Sequence, residues 1–124
     1  MPFVNLKIPL KLVTPNKMEH WTERHKRNKK QRQVINYFLN TQEKPPFFPL
    51  EISLTRIGPR EWDYDNLVFS FKNSRDTLSD WLIPGKAKGQ ADGDKRLQWL
   101  YSQEKGEPKE HAILIVITAT DKII

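Results

Sequence analysis

The sequence predicts a single small domain of the α/β or α+β class, in which a mixed β-sheet of about four or more strands packs against two helices. Segments with alternating apolar residues are separated by segments with helical spacing, in the order β-α-β-α-β-β. The chain length of 124 residues suits one domain over residues 1–124. The last strand is apolar on both faces, which is typical of a strand inside a sheet.

The first half of the chain is predicted to form a strand, a long helix and a second strand. Apolar and polar residues alternate over residues 3–13, and Pro9 favours an edge or bulged strand. A helix is predicted from about Glu19 to Leu39, because apolar residues recur at helical spacing in its second half. After a proline-rich loop, alternation returns from Leu50 to Ile57 and predicts the second strand.

The second half is predicted to form one helix and two strands. The helix runs from about Asp65 to Leu82 with one apolar stripe. Residues 83–93 hold three of the five glycines and form a loop. Strands follow from Lys95 to Gln103 and from Ala112 to Ala119.

Composition excludes several classes of protein. The chain has no cysteine, which excludes a disulfide framework and a thiolate zinc site. No segment approaches the roughly 18 apolar residues of a membrane span, and the N-terminus lacks the features of a signal peptide. We therefore expect a cytoplasmic protein without a membrane partner.

The formal charge of +6 is concentrated in the predicted first helix. Residues 17–32 contain seven Lys and Arg against two Asp and Glu. Such a basic segment binds the phosphate backbone of DNA, although a solvated helix face is an equally good interpretation. The candidate DNA-binding residues are Arg24, Lys26, Arg27, Lys29, Lys30 and Arg32, together with Lys86 and Lys88 in the glycine-rich loop.

The sharpest acidic motif is Asp63-Tyr64-Asp65-Asn66, between the second strand and the second helix. If the extended conformation persists, Asp63 and Asp65 point the same way. Two adjacent carboxylates repel each other unless a cation or a proton lies between them, and Mg²⁺ prefers oxygen ligands. The alternative is that Asp65 or Asn66 caps the helix.

Helical spacing places Asp65, Lys72 and Asp76 on one face of the second predicted helix. Lys72 and Asp76 could form an ordinary i,i+4 ion pair. Equally, Lys72 could reach the acidic motif and offer a cation to a phosphate. A second acidic spot, Asp92-Gly93-Asp94, precedes a strand and could also be a plain turn.

The order of these motifs resembles the RusA-like family of Holliday junction resolvases, which occur in bacteria and their phages. The resemblance covers about Val4 to Ile117. It rests on Asp63-Tyr64-Asp65-Asn66-Leu67, on a helix with Lys72 and Asp76-Thr77-Leu78, and on Asp92-Gly93-Asp94 before a strand.

This resemblance implies a homodimeric endonuclease that cuts four-way DNA junctions with Mg²⁺, or alternatively Mn²⁺, in recombination and repair. The implied metal ligands are Asp63, Asp65 and Asp94, and these three with Lys72 are the implied catalytic residues. Asn66, Asp76 and Asp92 are implied to support them. The family's lysine normally falls three residues after the Asn, where this chain has Phe69.

Two other functions stay open. The chain could be a basic DNA-binding protein that does not cut, with its aspartates acting as helix caps. It could also be a protein–protein adaptor that exposes tryptophans, the candidates being Trp21, Trp62 and Trp99.

Overall fold

The protein, described here from a computed structural model, forms one four-stranded sheet and three helices. The structure describes residues 2–14, 20–46, 49–85 and 93–120. This architecture confirms the predicted mixed α+β class and the order of elements. The elements are β1 (Val4–Ile8), α1 (Trp21–Leu39), β2 (Leu50–Gly58), α2 (Tyr64–Ser70), α3 (Lys72–Leu82), β3 (Leu97–Lys105) and β4 (Ala112–Ala119).

The strands lie in the order β1-β4-β2-β3. The final strand β4 is antiparallel to both β1 and β2, so it is internal, as its apolar sequence predicts. Strands β2 and β3 are parallel and are connected through α2 and α3. The C-terminal ends of both strands therefore lie along the same side of the sheet, which we call the carboxyl edge, and their N-terminal ends lie along the opposite side.

The second predicted helix is broken in two at Phe71, so the sheet packs against three helices instead of two. The Ser70 hydroxyl donates a hydrogen bond of 2.7 Å to the Leu67 carbonyl, which a continuous helix would offer to the Phe71 amide. The Phe71 amide instead donates to the Val68 carbonyl at 3.2 Å. Phe71 is fully buried and lies against Tyr101, with ring centroids 6.0 Å apart.

The helices cover one face of the sheet, and the core lies between the two layers. Alternate residues of each strand point into this layer because side chains alternate across a sheet. No helix in the described ranges is long and apolar enough to span a bilayer. The fully buried core side chains include Ile8, Ile35, Leu39, Ile52, Leu54, Leu67, Phe71, Leu78, Ile115 and Ile117.

Candidate nucleic-acid interface

A cleft of about 370 Å³ lies between the first half of α1 and the junction of α2 with α3. Four cationic side chains and one carboxylate line it, so we call it the cationic cleft. These side chains are Arg24, Arg27, Arg32, Lys72 and Asp76. Asn28, Gln31, Asn73 and Phe69 also line it. Such a surface attracts phosphate groups.

The six basic residues predicted on α1 divide into two groups. Arg24, Arg27 and Arg32 line the cationic cleft, together with Asn28 and Gln31 at matching helical spacing. Lys26, Lys29 and Lys30 do not line the cleft and are exposed. The helix thus presents two basic faces, and only one of them opposes α2 and α3.

Asn73 joins α3 to the basic half of α1. Its amide nitrogen donates to the Asn28 carbonyl at 2.9 Å and to Gln31 Oε1 at 3.2 Å. Its amide oxygen accepts a long hydrogen bond of 3.5 Å from Arg32. Gln31 is buried, so these contacts satisfy polar groups that would otherwise be costly. They hold the arginines of α1 at a set distance from Lys72.

Lys72 and Asp76 form an i,i+4 ion pair, with Nζ and Oδ2 3.6 Å apart. This outcome matches the first of the two interpretations of the sequence. Within the described part of the chain, Lys72 pairs with neither Asp63 nor Asp65. Its ammonium group nevertheless lines the cationic cleft and is mostly exposed to solvent.

The acidic pair, Asp63 and Asp65, lies at the beginning of α2 near the carboxyl edge. Asp63 is the N-cap residue and Asp65 lies in the first turn, so the extended conformation does not persist through both. Both residues are exposed. The Asp63 side chain makes no capping hydrogen bond. Capping by Asp65 or Asn66 is also not observed, because the helix begins before them.

The loop before the acidic pair is held by side chains of β2 and β3. The Arg56 guanidinium lies 3.4 Å from the centroid of the Trp62 ring and donates to the Arg60 carbonyl at 2.6 Å. The Gln103 side chain accepts from the Trp62 amide at 3.0 Å and donates to its carbonyl at 2.7 Å. These contacts fix the chain immediately before Asp63.

Arg56 is almost completely buried, and its burial lowers the pKa of the guanidinium from its ordinary value. The ring of Trp62 covers one face of this group and the backbone of Gly58 lies close to it. The cation therefore stacks against an aromatic ring instead of entering solvent.

Asp94 lies at the opposite edge of the sheet from the acidic pair. It precedes β3, whereas Trp62 contacts Gln103 near the end of β3. The strand from Leu97 to Gln103 spans about 20 Å at about 3.3 Å per residue. The Asp94 carboxylate instead accepts two hydrogen bonds from the Arg96 guanidinium, at 3.0 and 3.1 Å.

The structure consequently does not bring Asp63, Asp65 and Asp94 together in one chain. Among residues 2–14, 20–46, 49–85 and 93–120, no three His, Asp or Glu side chains form a group that could hold one metal ion. The physical reason is the parallel pairing of β2 and β3, which separates a residue after one strand from a residue before the other.

The remaining predicted residues are placed as follows. Asn66 is half-buried in the first turn of α2. Lys86, Lys88 and Asp92 lie outside the described residues. Of the candidate adaptor tryptophans, Trp62 and Trp99 pack against the core, and Trp21 is exposed.

Phe69 and Asn73 line the cleft without having been predicted from the sequence. Neither belongs to a charged motif, and their position depends on the break at Phe71 and on the packing of α1 against α3. Comparison with protein-family models, curated proteins and solved structures found no match for this chain.

Proposed function

We propose that this protein binds branched DNA in the cationic cleft and hydrolyses it as a Mg²⁺-dependent endonuclease that acts on four-way junctions. The resemblance to RusA-like resolvases supports the reaction and the substrate. The proposal includes a homodimer, because a two-fold symmetric dimer would present two sites to a two-fold symmetric junction. A cytoplasmic location and a phage or prophage origin are also part of the proposal, and the resemblance supports the origin.

One observation supports the proposal most directly, namely that the acidic pair and the cationic cleft share helix α2. Asp65 and Phe69 are four residues apart in this helix, so their side chains are neighbours on its surface. Phe69 lines the cleft. A DNA backbone held by the cleft cations would therefore pass close to the acidic pair.

The chemistry of the acidic pair, two exposed carboxylates at the beginning of α2, suits Mg²⁺, which prefers oxygen ligands. Neither carboxylate makes an ion pair or hydrogen bond with another side chain in the described part of the chain, and both are exposed. Mg²⁺ sites commonly use only one or two carboxylates, with waters and substrate phosphates completing the coordination. Asp63 and Asp65 would hold the ion, which when bound lowers the pKa of a water and neutralises charge on the phosphate.

The chain's own cations would position the substrate. Arg24, Arg27 and Arg32 present guanidinium groups that bind phosphate oxygens in a bidentate manner. Lys72 adds an exposed ammonium group, paired with Asp76, at the side of the cleft nearest α2. The loop held by Arg56 and Gln103 would keep Asp63 in place as DNA binds.

The proposal is tested by cleavage of a synthetic four-way junction in Mg²⁺ by the wild-type chain and by Asp65→Asn. Removing a residue that only supports a metal ligand typically slows an enzyme about 10- to 100-fold. Because Asp65 is proposed as a ligand itself, we expect Asp65→Asn to cut more slowly by at least this factor. Asp94→Asn is the matched control, because Asp94 lies at the other edge and pairs with Arg96. Equal cleavage by Asp65→Asn and wild type would refute the mechanism.

A second candidate function is DNA binding without cleavage. The separation of Asp94 from the acidic pair favours it, since among the described residues no third carboxylate groups with Asp63 and Asp65. In the same assay this protein would bind the junction, with affinity that falls steeply with salt, and would leave it intact in both Mg²⁺ and Mn²⁺.

A further inference from the structure

Phe69 is an exposed aromatic side chain in a cationic setting. It is 59% exposed, whereas Phe71 two residues later is fully buried. Among the described residues, it is the one exposed phenylalanine, and the other exposed aromatic residues carry a polar ring atom or hydroxyl. A single exposed apolar side chain is ordinary on a protein surface, so the feature that points to a ligand is the position of Phe69 in the lining of the cationic cleft.

The neighbours of Phe69 define what that ligand is. Four cations line the same cleft and attract phosphate groups, and Phe69 adds an aromatic ring to this lining. Phosphate attraction together with base stacking is the combination by which proteins hold single-stranded nucleic acid. In a continuous duplex the faces of the bases are already stacked on one another, so only an unpaired base can use this ring.

We propose that Phe69 and the cleft cations form a site for an unpaired nucleotide, such as one released when a base pair opens at a branch point, with its base stacked on the Phe69 ring. This inference rests on the proposed binding of DNA in the cleft and adds its specificity. The cations set affinity for any DNA, because phosphate contacts carry no sequence or pairing information. Phe69 then selects DNA in which a base is free.

The position of Phe69 relates this selection to the acidic pair. Asp65 lies four residues earlier on the same short helix, and Lys72 begins the next helix after the break at Phe71. An unpaired base stacked on Phe69 would thus lie between the acids and Lys72 along the surface. A branch point held there would bring its neighbouring phosphates to Asp63 and Asp65.

The test compares two labelled DNAs, a fully paired duplex and the same duplex with one unpaired 2-aminopurine, bound by the full chain. Fluorescence of 2-aminopurine falls when the base stacks on an aromatic ring. We expect Phe69→Ala to weaken binding to the unpaired probe about 5- to 150-fold, the usual effect of removing one stacking ring. Binding to the paired duplex should change less than about twofold, with the same salt dependence.

Two variants complete the experiment. Phe69→Trp should keep both the affinity and the quenching, since it restores a stacking surface. Tyr37→Ala is the control, because Tyr37 is 71% exposed and does not line the cleft. It should behave as wild type.

The inference is overturned if Phe69→Ala weakens the two DNAs equally, if it weakens neither, or if Tyr37→Ala has the same effect. Absence of salt-dependent binding to either DNA by the wild-type chain is a different result. It would refute the proposed function as well, so the two failures are distinguishable.

Discussion

Neutralising the cationic cleft should change the salt dependence of DNA binding far more than neutralising the outer face of the same helix. The perturbed chain carries Arg24→Gln, Arg27→Gln and Arg32→Gln. The control chain carries Lys26→Gln, Lys29→Gln and Lys30→Gln. Both variants lose three positive charges from α1, and glutamine retains good helix propensity. The removed charges line the cleft in the first variant and lie outside it in the second, and the first variant also loses the long hydrogen bond from Arg32 to Asn73.

The expected magnitude follows from counterion release. Each phosphate neutralised on B-DNA contributes about −0.9 to the slope of log K against log salt concentration. Loss of three phosphate contacts should therefore flatten the slope by about 2.7 in the cleft variant. Between about 50 and 200 mM salt, the fall in affinity should then be about 40-fold smaller than in wild type. In the control variant the slope of log K against log salt concentration should flatten by less than about 1.

Fluorescence anisotropy of a labelled duplex over that salt range measures both slopes. Circular dichroism of each variant shows whether α1 is retained. The reasoning is refuted if the two variants flatten the slope equally, since the position of the charges would then be irrelevant. It is also refuted if the outer lysines have the larger effect, which would place the DNA on the exposed face of α1.

Two further predictions concern stability. Gly58→Ala should destabilise the protein by about 1 to 3 kcal/mol in urea unfolding, the usual cost of overpacking. Its Cβ would lie 2.7 Å from the Arg56 guanidinium carbon, and the ring of Trp62 lies against the same guanidinium. Gly93→Ala is the control and should leave the free energy of unfolding nearly unchanged, because an added Cβ meets nothing within 4 Å there. Equal losses of stability for the two variants would contradict this account. Burial and the nearby charges of Lys11 and Arg56 lower the pKa of His111 below its ordinary value. As the pH falls through about 6.5, the unfolded chain therefore binds more protons than the folded chain. The free energy of unfolding should consequently fall from pH 7.5 to pH 5.5. His111→Gln should show a smaller fall in the unfolding midpoint over this window, and an unchanged pH dependence would exclude His111 as its source.

The acidic motif and the basic segment could be located from the sequence because each is a local pattern. Alternation and helical spacing also predict the order of the elements and the internal position of β4, since side-chain periodicity reflects which faces are buried. The strand bounds are less well predicted. Strand β1 ends at Ile8 instead of continuing to residue 13, and β3 begins at Leu97, two residues later than expected.

The break at Phe71 could not be predicted from the spacing of apolar residues. The apolar stripe from Leu67 to Leu82 fits one continuous helix. The structure divides it at Phe71, whose amide donates to the Val68 carbonyl while the Ser70 hydroxyl takes the Leu67 carbonyl. That division turns Phe69 outward into the cationic cleft and places Asn73 against α1. Both residues enter the candidate site only through this tertiary arrangement.

Sequence alone determined the chemistry available to this protein: a concentrated set of cations, a pair of neighbouring carboxylates and the elements that hold them. Tertiary structure decided which of these groups meet. It placed Arg24, Arg27 and Arg32 in the same cleft as Lys72. The parallel pairing of β2 with β3 left Asp94 at the edge of the sheet opposite the acidic pair. Local patterns report what each segment exposes, but the distance between segments depends on strand order and direction, which arise only when the whole core packs.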